Sequence, residues 1–69
     1  MSQTQIPSDG LLVEREAAAL LRKPERTLRQ WRYLGRGPSY VRIGNSIRYR
    51  RSDLEAYIAN QRVDPQRVI

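Results

Sequence analysis

The sequence predicts a small α+β fold, mainly helical, on three observations. Stretches 14–22 and 24–34 combine helix formers with apolar residues three and four apart. Two short β-rich runs flank the turn pair Gly44-Asn45, and a third helical stretch begins near Ser52. Sixty-nine residues with 39% hydrophobic content allow one domain, which removes only about 60% of its unfolded surface from water. Its stability is expected on the order of 3 to 5 kcal/mol. With no cysteine and no histidine, neither disulfides nor the usual zinc frameworks reinforce the core.

Residues 1–10 are polar, contain Pro7 and Gly10 and lack periodicity, so they are expected to form a flexible arm. The folded domain is expected over 11–62. Its first helix runs from Glu14 to Arg22, with acids in the first turn and Ala17, Leu20 and Leu21 on one buried face. Lys23-Pro24 interrupts it, because proline removes a backbone donor and pushes its predecessor out of helical geometry, yet it suits the opening of a new helix. The second helix is expected from Pro24 to Tyr33 or Leu34, buried through Leu28 and Trp31 and basic elsewhere. Two helices joined by so short a turn, the second amphipathic and cationic, suggest a helix-turn-helix.

Gly35-Arg36-Gly37-Pro38 ends that helix. Tyr40, Val41 and Ile43 before Gly44-Asn45, and Ile47 and Tyr49 after it, predict a hairpin. Alternation is expected to turn its apolar residues inward and its arginines outward as a basic wing. Ser52-Asp53-Leu54-Glu55 reads as a capping box opening a third helix to about Gln61, with Leu54, Tyr57 and Ile58 inward. Asp64-Pro65 breaks it, leaving 63–69 as a tail that, with Val68-Ile69 at its end, is expected either to form a protomer contact or to fray.

Charge narrows the function. Between Arg22 and Arg51 ten basic residues face one acid, Glu25 (+9), while the remainder holds three basic residues and six acids (−3), for a net +6. These cations interleave with apolar residues at folding periods, so they are displayed on structure, and polyanion binding leads. No glycine-rich phosphate loop ending in lysine is present and the acids sit at helix ends, so no enzyme, cofactor or metal site is expected. The opening MSQTQIPSDG lacks the basic and apolar regions of a secretory signal and no apolar run approaches a membrane span, so a cytoplasmic protein with no membrane partner is expected. Trp31 and the tyrosines invite a single-strand stacking role, but their spacing places Trp31, Tyr49 and Tyr57 with the core and leaves Tyr33 to solvent.

The series LLVEREAAALL, RTLRQW and YVRIGNSIRYRRSDLEAYI resembles the small winged-helix excisionases (recombination directionality factors, Xis-like) and MerR-like helix-turn-helix modules of phages and actinobacterial mobile elements, over about residues 11 to 60. The order of Arg26-Thr27-Leu28 to Trp31, the Val41 to Tyr49 wing and Arg51-Ser52-Asp53-Leu54 carries the likeness. The turn departs from it, with Arg22, Lys23 and Pro24 where a glycine, an apolar residue and a Ser-like cap are usual. The departure implies either extra phosphate contacts from Arg22 and Lys23 or a tolerant exposed loop.

A helix in the major groove reads bases from its exposed, mostly N-terminal positions, here Glu25, Arg26, Arg29 and Gln30, with Arg32 completing the basic helix. Arginine pairs in two-pronged fashion with guanine, glutamine with adenine, and a carboxylate accepts from cytosine. The resemblance favours Arg26 and Gln30. Glu25 alternatively serves the helix dipole and Arg29 a phosphate, and solvated surface residues are the blander reading of the whole set. The resemblance also implies that the wing tip, Asn45, Ser46 and Arg48, enters a neighbouring minor groove, with Arg42 also on the DNA-binding wing. Arg50 and Arg51, beside the start of the third helix, are expected to hold phosphates, or one of them to pair with Asp53 or Glu55.

The expected function is therefore sequence-specific binding and bending of attachment-site duplex DNA, by copies that associate along it, in support of a phage or element integrase that excises DNA in a bacterial host cell. A MerR-like transcription regulator is the alternative on the same surface. An RNA-binding or protein-interaction adaptor is another; competition between duplex DNA and duplex RNA separates it, because the A-form major groove excludes a recognition helix.

Overall fold

The computed structural model describes residues 10–66. Among them the elements run β1 (Leu11–Leu12), α1 (Glu14–Leu21), α2 (Glu25–Leu34), β2 (Val41–Ile43), β3 (Ser46–Arg50) and α3 (Arg51–Asn60). The strands form one antiparallel sheet in the order β1-β3-β2. This is the mainly helical α+β winged architecture expected from the sequence, with one addition, the short strand β1. Most of the expected arm (1–9) and the Val68-Ile69 end of the tail lie outside the described residues.

Ala17, Ala18, Leu28, Tyr49 and Leu54 form the core, and Leu12, Leu20, Leu21, Trp31 and Ile47 pack around it. Two alanines side by side keep the inner face of α1 flat, which lets α2, β3 and α3 all contact it. The expected stripe of Ala17, Leu20 and Leu21 is thus rotated toward Ala18. Leu28 and Leu54 are fully buried, each worth about 1.5 to 3 kcal/mol against exposure.

Helix ends follow local chemistry. The Glu16 carboxylate accepts the Val13 amide at 2.9 Å, which is half of a capping box, since valine brings no acceptor for the return bond. Both α1 and α2 close on Schellman turns. Arg22 N–H donates to Ala19 (3.1 Å) and Lys23 N–H to Ala18 (2.9 Å); Gly35 N–H donates to Arg32 (3.2 Å) and Arg36 N–H to Trp31 (2.8 Å). The left-handed position is held by Gly35 (φ 73) in the second and by Arg22 (φ 59) in the first, the sole non-glycine residue with positive φ among those described. Pro24 is the N-cap of α2 rather than its first helical residue, so that helix opens at Glu25.

Two expectations are corrected. Helix α3 starts at Arg51 with Arg50 as its N-cap and no side-chain cap bond, so Ser52 lies inside the first turn rather than capping it. The reason is that β3 runs directly into α3, and the Gly10 carbonyl, continuing the β1 ladder, accepts the Arg51 amide at 3.3 Å. The hairpin also does not sort its residues by polarity. Its two-residue turn pairs Ile43 with Ser46, Arg42 with Ile47 and Val41 with Arg48, and direct partners share a face. Arg42 therefore stands on the face of Ile47 and buried Tyr49, while Val41 and half-exposed Ile43 share the other face with Arg48. Gly44 takes φ 60 and Asn45 a negative φ, the pattern of a type II′ turn. Of the third helix's expected inward residues, Leu54 is buried and Tyr57 partly so, while Ile58 stays 46% exposed at the helix end.

Candidate nucleic-acid interface

Helix α2 is anchored on one side and open on the other. Leu28 is buried, and the Trp31 ring lies 5.8 Å from Tyr57 of α3, tilted by 51°. The remaining arc exposes Glu25, Arg26, Arg29 and Gln30. Arg26, Arg29, Gln30 and Tyr33 follow the i, i+3, i+4, i+7 spacing, so they form one continuous exposed stripe. Tyr33, 90% exposed, extends that stripe by a full turn. The sequence spacing contains that signal, but solvent exposure alone had been expected of this residue.

The acids near the stripe are already engaged. Arg29 lies 3.9 Å from Glu25, four residues before it, and 3.7 Å from Glu14 of α1. Arg29 and Glu25 are about half exposed, and exposed pairs are worth only about 0 to 1 kcal/mol, so a phosphate can displace them. Glu25 also lies in the first turn of α2, where a carboxylate suits the N-terminal end of the helix dipole.

Arg32 behaves differently from its neighbours on α2. Its guanidinium turns inward, pairs with Glu14, donates to the Tyr49 hydroxyl at 3.3 Å and lies 5.8 Å from the centre of the Tyr40 ring. Its side chain is 20% exposed. Burial would lower its pKa, but the bonds to Tyr49 and Glu14 and the charge of Glu14 outweigh that, so the group is held above its usual value. Burial likewise raises the Tyr49 hydroxyl above the usual tyrosine range, against a smaller opposing effect of Arg32. Expected as a member of the DNA-facing set, Arg32 is placed as a brace between α1, α2 and the sheet.

The turn displays Arg22 and Lys23 to solvent beside the start of α2. In the wing, Arg42, Asn45 and Ser46 are exposed, the latter two at the tip. Arg48 is half-buried and donates to the Ile47 carbonyl at 2.8 Å. Arg50 and Arg51 are exposed where β3 becomes α3. Because of the hairpin register, Arg42 stands on one face of the wing and Arg48 and Arg50 on the other.

Helix and wing meet at an open cleft of 380 Å³ lined by Arg29, Arg32, Tyr33, Tyr40 and Arg42. Tyr40 is held there between Arg32 and Tyr49, whose ring lies 6.1 Å away. Elsewhere, no three His, Cys, Asp or Glu residues among those described gather as a metal site would require, and no helix among them is long and apolar enough to cross a membrane.

No curated protein and no solved structure matches the chain at a significant level. A family model described as a helix-turn-helix domain matches residues 14–62, from the first residue of α1 to just past α3, and the chain therefore belongs to the helix-turn-helix domain family as a small DNA-binding protein.

Proposed function

We propose that this protein binds duplex DNA with α2 in the major groove and the β2–β3 wing in the adjacent minor groove, and acts as an excisionase. In this role copies associate along attachment-site DNA, bend it, and direct a separate integrase toward excision. The observation that carries the binding mode is the cleft between α2 and the wing, where Arg29 and Tyr33 of the exposed helix stripe meet Arg42. Arg26 and Gln30 read bases; Arg22, Lys23, Arg42, Arg50 and Arg51 hold phosphates; and Asn45, Ser46 and Arg48 contact the second groove. Association of copies follows from charge, since one domain neutralises few phosphates and neighbouring copies add affinity without new chemistry.

The excisionase role is supported by the resemblance of LLVEREAAALL, RTLRQW and YVRIGNSIRYRRSDLEAYI to that group. An excision assay with the cognate integrase tests it: omission of this protein should abolish excision and leave integration intact, and footprints on attachment-site DNA should show tandem protected repeats. Unchanged excision, with the protein still occupying its sites, would make it a transcription regulator on the same surface.

A further inference from the structure

We propose that the cleft between α2 and β2 is a seat for one phosphate of the DNA backbone, with Arg29 and Arg42 supplying charge and the hydroxyls of Tyr33 and Tyr40 supplying directional donors. The inference rests on the duplex-DNA reading above and assigns roles to two tyrosines outside the cationic set. Its first support is position. In a duplex gripped through both grooves, the sugar-phosphate ridge lies between the grooves, so it must cross the junction of helix and wing. That junction is the cleft lined by Arg29, Arg32, Tyr33, Tyr40 and Arg42.

The second support is chemistry. No carboxylate among the described residues lines the cleft. Glu14, paired with both Arg29 and Arg32, offsets the braced guanidinium of Arg32 and leaves Arg42 and the outer side of Arg29 to a ligand. Tyrosine hydroxyls and arginines are both common phosphate donors. Tyr40 comes preorganised, with Arg32 at 5.8 Å from its ring centre and the Tyr49 ring at 6.1 Å, so little rotamer freedom is lost on binding.

The third support is Tyr33 itself. A ring 90% exposed contributes little to folding. It lies in the last turn of α2, whereas base edges are reached mainly from the first turns of a recognition helix. A phosphate therefore fits this position better than a base.

The test uses the full chain, a duplex carrying its footprinted site, and a nonspecific duplex. Tyr33→Phe and Tyr40→Phe should weaken both duplexes alike by about three- to tenfold, with the salt slope unchanged. Arg42→Gln should lower that slope by about 0.9, the loss of one phosphate contact. In the wild-type complex, replacing backbone phosphates one at a time with methylphosphonate should identify a position whose neutralisation costs binding. With Tyr33→Phe/Arg42→Gln that same substitution should cost much less. Circular dichroism confirms that each variant is folded. If the double variant remains as sensitive to the methylphosphonate as the wild type, or Tyr33→Phe and Arg42→Gln bind like the wild type while Arg26→Ala weakens, the phosphate seat is wrong and the DNA reading stands. Failure of the wild type to bind any duplex overturns both.

Discussion

Arg32 on α2 pairs with Glu14 in the first turn of α1, and the same guanidinium reaches the Tyr49 hydroxyl of β3. One side chain thereby ties both helices of the motif to the wing. Each carboxylate or guanidinium is about one-fifth exposed, so the pair lies between a surface bridge and a buried one. Arg32→Ala leaves Glu14 with its longer contact to Arg29 and the Tyr49 hydroxyl without this donor, at an expected cost of about 2 kcal/mol. Arg32→Lys, which keeps charge but loses the fork, should fall between it and the wild type. Urea denaturation measures both; a loss under about 0.5 kcal/mol for Arg32→Ala would remove the bracing role.

The buried hydroxyl that this brace reaches gives the fold an alkaline limit. The Tyr49 hydroxyl is held above the usual tyrosine range chiefly because it is buried. Its neutral form is favoured on folding, so this contribution is fully present below the unfolded pKa of about 10 and is lost as pH climbs through the raised folded value. Stability should therefore decline from about pH 10 upward, and Tyr49→Phe should flatten that decline. Ultraviolet titration of the tyrosines should show a late-ionising component that Tyr49→Phe deletes. An unchanged late component would assign it elsewhere.

How much of this was legible in the sequence depended on the range of the interaction that decides each feature. Helical periodicity located α1, α2 and α3 to within a residue or two, because propensity, proline and glycine act locally. Strand β1 has only Leu11 and Leu12, too short for any period, and exists because they pair with Arg50 and Tyr49. The wing's register was implicit in its two-residue turn, which pairs Ile43 with Ser46 and so places Arg42 beside Ile47. Reading each strand's alternation separately missed that consequence. Similarly, the basic pattern of α2 did not distinguish Arg29 from Arg32, because both pair with Glu14 and it is the Tyr49 hydroxyl, seventeen residues away from Arg32, that accompanies its inward turn.

Gly37 is fixed by a neighbour as well as by its backbone. At φ 91, an added Cβ would lie 2.8 Å from Trp31 Cε3 and 3.0 Å from Trp31 Cβ. Gly37→Ala should cost about 2 to 4 kcal/mol through combined overpacking and strain, and should disturb Trp31 against Tyr57. Trp31 is the single tryptophan, so its fluorescence reports the change directly. Gly44→Ala, at φ 60 with open space around it, should cost only about 1 kcal/mol and leave that fluorescence unchanged. Equal losses at the two sites would deny Trp31 its part.

Arg22 holds the left-handed closing position of α1 at φ 59, where a side chain costs about 1 to 2 kcal/mol. Glycine removes that strain but adds freedom to the unfolded chain, offsetting about 0.4 to 1 kcal/mol. Arg22→Gly should therefore raise the melting temperature modestly while weakening DNA binding, because one exposed cation is lost. A variant both less stable and unchanged in binding would contradict both parts of the expectation.

Arg26 and Arg51 separate reading from holding. Arg26 stands exposed near the start of α2, within the stripe continued by Arg29, Gln30 and Tyr33, where a guanidinium can grip a guanine edge with two bonds. Arg51, exposed in the first turn of α3, lies away from that stripe in sequence and is assigned to the DNA backbone in the proposed binding mode. Arg26→Ala should weaken specific binding by about 1 to 3 kcal/mol and relax preference at one base pair. Arg51→Ala should weaken all duplexes alike and lower the salt slope by about 1. Binding isotherms on specific and scrambled duplexes across a salt series distinguish the two, because losing a base contact changes the ratio between duplexes and losing a phosphate contact changes the slope. Equal slope changes with an unaltered ratio would place Arg26 on phosphate and leave Gln30 as the principal reader on α2.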